Sequence, residues 1–164
     1  MNIISNSSPL IFLSKIGRFE ILPKLFDKVY IPNAVYQEAV LSDKNDDTAA
    51  PIAKGILDGY IIQFHVQNKL AVKALAGRLH PGEIEVIVGA SELGINNVIL
   101  DDLYARNKAK QFNLHITGTI GVLQIAYRIG IIKDFESEIH KLISTDFRIS
   151  PTLLQRILAD LKET

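Results

Sequence analysis

The chain lacks cysteine and tryptophan, has a single methionine and carries no excess of either charge. Without cysteine, it cannot form disulfides, thiolate zinc sites, iron–sulfur clusters or a thiol nucleophile. Its 18 Lys and Arg residues balance its 18 Asp and Glu residues, so no global basic field attracts nucleic acid. Any contact with nucleic acid must therefore come from a local patch.

The sequence also lacks an apolar run of the ~20 residues that a membrane span requires. Its longest uncharged stretch, residues 114–127, includes polar residues and glycines that suit a strand, a turn and a helix better than lipid. The N-terminal residues carry no positive charge ahead of the apolar ones and do not resemble a signal peptide. We expect a soluble cytoplasmic protein that makes no membrane contact.

The length of 164 residues, 48% of them hydrophobic, predicts one domain with a sizeable core. We find no internal repeat and no low-complexity tract. We expect a single domain over residues 1–164, with a C-terminal helical extension over about 133–164.

Short β-branched runs alternate with helical patterns, which is typical of a parallel sheet with helical crossovers. The predicted strands are Asn2–Ser5, Lys28–Ile31, Ile61–Val66, Asn97–Leu100 and Leu114–Thr117. The third is an edge or extra strand. The sequence therefore predicts an α/β fold, a three-layer α/β/α domain with a central, mainly parallel sheet.

Apolar periodicity and capping residues place helices between and after these strands. They are predicted over Pro9–Ile16, Asn33–Val40, Pro81–Leu93, Asp102–Phe112, Thr119–Ile129 and Lys133–Ser144, with a last one from Pro151. The polar segment Leu41–Ala50 is predicted to be a mobile loop.

Polar residues follow three of the predicted strands at their carboxyl ends, where open parallel sheets bind ligands. The first strand leads into Asn6 and Ser7, the fourth into Asp101 and Asp102, and the fifth into Thr117. Two further acids, Glu38 and Glu83, lie on helices that follow a proline. A cluster of carboxylates at one sheet edge would repel itself unless divalent cations neutralise it, and oxygen ligands suit Mg²⁺ or Mn²⁺.

Each of these residues also has a structural explanation. One acid of the Asp101–Asp102 pair can cap the next helix, and Glu83 occupies a favourable first-turn position. Glu38 fits an exposed helix face, and Asn6 with Ser7 fits a turn and helix cap. Glu85 points largely to a different helix face from Glu83 and is predicted to be solvated.

The order of these motifs resembles the PIN-domain superfamily over nearly the whole chain. The resemblance rests on Asn6-Ser7-Ser8-Pro9, on the helix from Pro32 to Glu38, on Pro81-Gly82-Glu83, on Asp101-Asp102 and on Thr117-Gly118-Thr119. More narrowly, the chain is similar to a branch of PIN-like prokaryotic proteins that carries this series. The resemblance implies an α/β/α ribonuclease with an acidic Mg²⁺ or Mn²⁺ pocket. Many such proteins are toxins of type II toxin–antitoxin pairs, often dimers silenced by a small antitoxin.

The resemblance also implies roles by position. Glu38, Glu83, Asp101 and Asp102 match the catalytic acids, which with Asn6 would hold the metal. Ser7 and Thr117 would be pocket hydroxyls that orient a metal-bound water or a phosphate. Asn6 departs from the family because it stands where the first strand usually ends in Asp. It can still offer an oxygen but lacks the charge, so we expect weaker metal affinity.

The sequence leaves substrate contacts and partners open. Arg106 follows the acid pair by one turn and is the strongest candidate for phosphate binding, whereas Lys108 and Lys110 fit a solvated face. Apolar residues near Phe12 and on the last helix belong either to the core or to a homodimer or antitoxin groove. The competing functions are a catalytically weakened or inactive module that binds RNA or a protein, and another Mg²⁺ hydrolase. No pair of histidines has metal-ligand spacing, so zinc lacks support.

Overall fold

A five-stranded parallel sheet forms the centre of the computed structural model, which describes residues 1–42 and 46–162. The strands are Asn2–Ser5 (β1), Lys28–Pro32 (β2), Ile61–Phe64 (β3), Asn97–Ile99 (β4) and His115–Thr117 (β5). The predicted α/β class is confirmed, and so are all five strands; β1 has the predicted boundaries, and those of the other four differ by one or two residues. β3 lies at an edge, as predicted.

The strand order is β3-β2-β1-β4-β5, so the chain reverses direction across the sheet at β1. From β1 it proceeds outward through β2 to β3, then crosses back to pair β4 on the other side of β1 through Ile4 and Val98. Such a reversal opens a crevice at the carboxyl ends of the two central strands, where ligands bind in open α/β sheets. The residues that follow β1 and β4 therefore face this crevice.

Helices surround the sheet. Within the described ranges they are Ser7–Lys15 (α1), Leu22–Leu25 (α2), Asn33–Tyr36 (α3), Asp46–Leu57 (α4), Lys69–Leu75 (α5), Pro81–Leu93 (α6), Leu103–Gln111 (α7), Thr119–Arg128 (α8), Phe135–Ile143 (α9) and Pro151–Lys162 (α10). α6 shows why the capping pattern predicted well. Pro81 occupies the first turn, Glu83 caps the backbone N–H of His80, and Gly94 ends the helix with a φ of 64°.

Within the polar segment Leu41–Ala50, residues 46–50 are helical and not the loop that their composition predicts. α4 begins at Asp46 and buries Thr48 and Ile52, which are one turn apart. Acidic residues at its start favour a helix N-terminus, so the polarity that indicates a loop also suits a first helical turn. Residues 43–45 of the predicted loop lie outside the described part of the chain.

Two other helices, α2 and α5, were not predicted, because their sequences give weak helical patterns. α2 has only four residues, and α5 has seven, none of them fully buried. The helix predicted to run to Val40 is confirmed, but its second half, Gln37–Leu41, is a π-helical turn. The N–H of Ser42 donates to the carbonyl of Gln37 at 2.8 Å, the i→i+5 bond that defines this geometry.

The core is continuous across both faces of the sheet. Its buried residues include Ile3, Val29 and Val98 from the strands, and Phe135 and Ile157 from the C-terminal helices. Burial on both faces explains the unbroken apolar runs of the strands.

Phe12, which the sequence left between core and interface, packs edge-to-face on Phe147 with ring centroids 4.9 Å apart. Leu153, on α10, stays 44% exposed. Among the described residues, no helix has the length and apolar character needed to cross a membrane.

Candidate active site

Asn6 lies at the crevice between β1 and β4. Its backbone N–H donates to the carbonyl of Ile99 at 3.1 Å, which joins the ends of the two central strands. The residue is only 6% exposed, and its side-chain oxygen Oδ1 has no hydrogen-bond partner. A buried acceptor without a partner is costly and is uncommon in proteins. The site therefore contains one oxygen that awaits a donor or a cation.

Glu38 reaches the same place from the π-helical turn. Its Oε2 accepts a hydrogen bond from the hydroxyl of Ser7 at 2.7 Å, and its Oε1 accepts one from the backbone N–H of Gly82 at 3.2 Å. These bonds connect the starts of α1 and α6 to the turn that carries Glu38. The Ser7 hydroxyl thus orients the Glu38 carboxylate, whereas the sequence predicted a hydroxyl that orients a metal-bound water or a phosphate.

Gly82 allows the two oxygen-bearing side chains to converge. A Cβ atom at this position would lie 2.8 Å from Oδ1 of Asn6 and 3.0 and 3.1 Å from the carboxylate oxygens of Glu38. The distance to Asn6 is shorter than Cβ contacts in proteins and the other two are tight, so a larger residue would displace the Asn6 side chain and press on Glu38. Sequence reasoning noted the Gly-Glu pair but missed the role of the glycine. The available signal was a glycine in the first turn of a helix, a position that otherwise favours other residues.

Glu83 lies next to Gly82 and is 5% exposed. Its Oε2 accepts a hydrogen bond from the N–H of His80 at 2.9 Å. Burial raises the pKa of Glu83, the bond from His80 opposes that rise, and the nearby charges of Asp102 and Glu38 raise the pKa further. The charges of two other predicted acids therefore act on Glu83.

Asp102 and Asp101 occupy different environments although they are adjacent in the chain. Asp102 is exposed and caps α7, where its Oδ1 accepts the N–H of Ala105 at 2.8 Å. Asp101 turns the other way. Its Oδ1 and Oδ2 accept the N–H and the hydroxyl of Thr119 at 2.7 and 2.6 Å.

Asp101 thereby fixes the start of α8 to the end of β4. Burial raises its pKa, while the two bonds from Thr119 and the charge of Arg106 lower it. The hydroxyl that contacts an acid here is that of Thr119, which the sequence reasoning did not select. Thr117 is half-buried, and its methyl group faces Gly121.

The predicted phosphate ligand Arg106 points back toward the sheet. Its Nη1 donates to the carbonyl of Leu100 at 3.0 Å. A Cβ atom at Gly118 would lie 2.7 Å from the same Nη1. Glu85, predicted to be solvated, is instead half-buried and accepts the N–H of Ala34 at 2.9 Å. That bond gives the free N–H donor at the start of α3 an acceptor from a carboxylate distant in sequence.

Whether a divalent cation fits this site depends on the side-chain oxygens that the crevice brings together. In residues 1–42 and 46–162, no group of three or more His, Asp or Glu side chains is arranged to hold a metal ion. However, Mg²⁺ commonly binds through one or two carboxylates and keeps several waters. The unpaired Oδ1 of Asn6 and the carboxylate of Glu38, which converge over Gly82, match such a water-rich site. Glu83 and Asp102 add negative charge around it.

Comparisons with known proteins agree with this architecture. The model of the DUF3368 family, described as a PIN domain, matches residues 2–163. The chain is similar in structure to a PilT N-terminus domain protein from the hyperthermophilic archaeon Sulfolobus solfataricus P2, with a TM-score of 0.56 and 25% sequence identity. That match covers 77% of this chain and 93% of the other. Curated proteins gave no match.

Proposed function

Because the chain belongs to the PIN-domain family, whose members are generally nucleases, we propose that it is a metal-dependent endoribonuclease that hydrolyses RNA phosphodiester bonds. The observation that carries the proposal is the buried, unpaired Oδ1 of Asn6 beside the Glu38 carboxylate. A carboxylate beside a buried oxygen that lacks a donor is stabilised by a cation. PIN domains typically bind divalent metals.

Asn6 and Glu38 would hold Mg²⁺ or Mn²⁺ in this proposal. The bound ion supplies Lewis-acid chemistry, lowering the pKa of water and stabilising charge on phosphate oxygens. Ser7 and the Gly82 N–H keep Glu38 oriented, so little reorganisation is needed on binding.

Glu83, Asp102 and Asp101 have three different roles in this proposal. Burial raises the pKa of Glu83, so its second oxygen, Oε1, is suited to exchange a proton with the reacting groups. Asp102 uses Oδ1 to cap α7, so its Oδ2 remains at the exposed rim, where it can position waters. Asp101 and Thr119 hold the loop between β4 and α7 that carries Asp102.

Cleavage of an end-labelled, mixed-sequence, single-stranded RNA tests the proposal. We expect cleavage with Mn²⁺ or Mg²⁺ and none with EDTA. Glu38→Gln should reduce the rate about 100-fold or more, about 2.7 kcal/mol of transition-state stabilisation. Glu136→Gln, which removes an exposed acid on α9, is the matched control and should cleave like the wild type. Cleavage that survives EDTA, or that Glu38→Gln leaves unchanged, would contradict the proposal.

A neutral amide at position 6 favours a second candidate, a PIN-like module that binds RNA or a protein without cutting it. The same assay separates the two. If the wild type is inactive with both metals and Asn6→Asp creates metal-dependent cleavage, the binding module is the better description and Asn6 is the reason.

We further propose that the protein is the toxin of a type II toxin–antitoxin pair, acts in the cytoplasm as a homodimer and is silenced by a small antitoxin. The resemblance of the motif series supports this role. Expression of the wild type should arrest growth while Glu38→Gln does not, and co-expression of a small protein encoded beside the gene should relieve the arrest. Normal growth on expression of an active nuclease would contradict the toxin role.

A further inference from the structure

Arg78 and Tyr104 form a stack at the rim of the candidate active site. The guanidinium carbon of Arg78 lies 4.7 Å from the centroid of the Tyr104 ring. Arg78 is two residues before His80, which precedes α6 and Glu83, and Tyr104 is two residues after Asp102. The stack therefore joins the two segments that carry Glu83 and Asp102.

The stack is exposed although both of its backbone segments are anchored. Tyr104 is 40% exposed, and Arg78 is exposed as well. Beside Arg78, Leu79 is buried and pairs with Ala76 in a β-bridge, and Gly77 has a φ of 147°, which a side chain rarely adopts. This tight turn holds Arg78 outward. Tyr104 is fixed in the first turn of α7, which Asp102 caps.

We propose that the Arg78–Tyr104 stack binds an unpaired base and its phosphate in a single-stranded RNA, next to the acids of the candidate active site. This proposal rests on the proposed function. The guanidinium covers one face of the Tyr104 ring, so a base would stack on the other face while the guanidinium N–H groups pair with phosphate. Bases inside a duplex are already stacked and cannot lie on such a surface, so the geometry favours single strands.

Charge supports an RNA contact at this place. The protein has no net charge, so a polyanion must be drawn by local cations. Arg106 is committed to the carbonyl of Leu100 and faces the sheet, whereas Arg78 is exposed and lies two residues before His80, whose N–H donates to Glu83. A phosphate held by Arg78 would offset the repulsion between the RNA backbone and the acids.

Direct stacking can be measured because the chain contains no tryptophan. Tyr104→Trp introduces a single reporter whose fluorescence a stacked base should quench. Phe112→Trp is the matched control, since Phe112 follows α7 at its far end and is 46% exposed. We expect an eight-nucleotide single-stranded RNA to quench the first variant in a saturable way and to leave the second unchanged. Equal quenching of both variants, or of neither, would overturn the proposal.

Affinity is then measured by fluorescence anisotropy in EDTA on the Glu38→Gln background, so that the result does not depend on cleavage. Tyr104→Ala should weaken binding about tenfold, or about 1.4 kcal/mol, while Tyr104→Phe stays within twofold of the parent. Arg78→Gln should weaken binding and lower the slope of log affinity against log salt by about 0.7, whereas Arg128→Gln should not weaken binding. A duplex of the same sequence should bind weakly and be insensitive to Tyr104→Ala.

Tyr104→Ala binding within twofold of the parent would overturn the proposal, and so would a duplex that binds as tightly as the single strand. Failure of this surface and failure of the proposed function remain distinguishable. An enzyme that cleaves RNA normally with Tyr104→Ala retains its function without this stack. An enzyme that binds through the stack but never cleaves has the stack without the nuclease.

Discussion

Replacing Asn6 by aspartate tests directly whether the amide and the Glu38 carboxylate share one site. Oδ1 of Asn6 and an oxygen of Glu38 lie 2.8 and 3.0 Å from the same point above Gly82, so they are at most ~5.8 Å apart. Two unit charges at that separation repel by about 3 kcal/mol at an effective dielectric constant of 20. Asn6→Asp should therefore destabilise the protein by about this amount when no metal is present.

The assay is thermal unfolding at pH 8, with EDTA and with Mn²⁺. For a chain of this size, a loss of about 3 kcal/mol lowers the melting temperature by roughly 6–12 °C. Mn²⁺ should reverse the loss, because a cation turns the repulsion into attraction, and should stabilise the variant more than the wild type.

Asn107→Asp is the matched control, since Asn107 is exposed on α7 and the change adds the same charge away from Glu38. We expect its melting temperature to stay within about 2 °C of the wild type. If Asn6→Asp in EDTA also melts within about 2 °C of the wild type, the two side chains do not share a site and the reasoning fails.

Three further predictions follow from other contacts. Gly82→Ala should keep the fold, because alanine in a helix is up to about 1 kcal/mol more favourable than glycine. Calorimetry should nevertheless show that the variant binds Mn²⁺ at least tenfold more weakly than the wild type. Unchanged affinity would contradict the convergence of Asn6 and Glu38 over Gly82. Asp101→Ala should lower the free energy of unfolding in urea by about 2–3 kcal/mol, and Asp102→Ala should lower it by about 1 kcal/mol. Asp102→Ala should instead lose more of the cleavage rate than Asp101→Ala. The reverse of either ranking would refute this division of roles. The hydrogen bond from Arg18 at 2.6 Å holds the pKa of Glu138 below its usual 4.5, so its stabilisation is present above about pH 4.5 and disappears as the pH falls through the lowered value. The stability of Glu138→Gln should therefore fall less between neutral and acid pH than that of the wild type. An acid unfolding profile that matches the wild type would count against the Arg18–Glu138 pair.

The elements that follow local rules could be predicted from the sequence. β1 and α6 illustrate this, because an apolar run marks the strand, while Pro81 and Gly94 mark the ends of the helix. α4 could not be predicted in the same way. Its first residues are acidic, and acidic residues suit both a loop and a helix start, so packing of Ile52 against the core decides between them.

The sequence by itself determined the fold class and the residue types available at the carboxyl ends of the strands. The reason is that side-chain periodicity and caps act over a few residues, and the reversal of strand order leaves those ends at one crevice. It also determined that Asn6 carries an oxygen but no charge.

The tertiary structure alone decided which of those residues work together. Asp101 and Asp102 are neighbours in sequence, yet one is bound by Thr119 and the other stands at the rim, because adjacent side chains point to opposite sides where the backbone is extended. Glu38 and Asn6 come from separate elements and meet only because Gly82 has no side chain to keep them apart. Such contacts depend on the packing of distant segments, which no local pattern records.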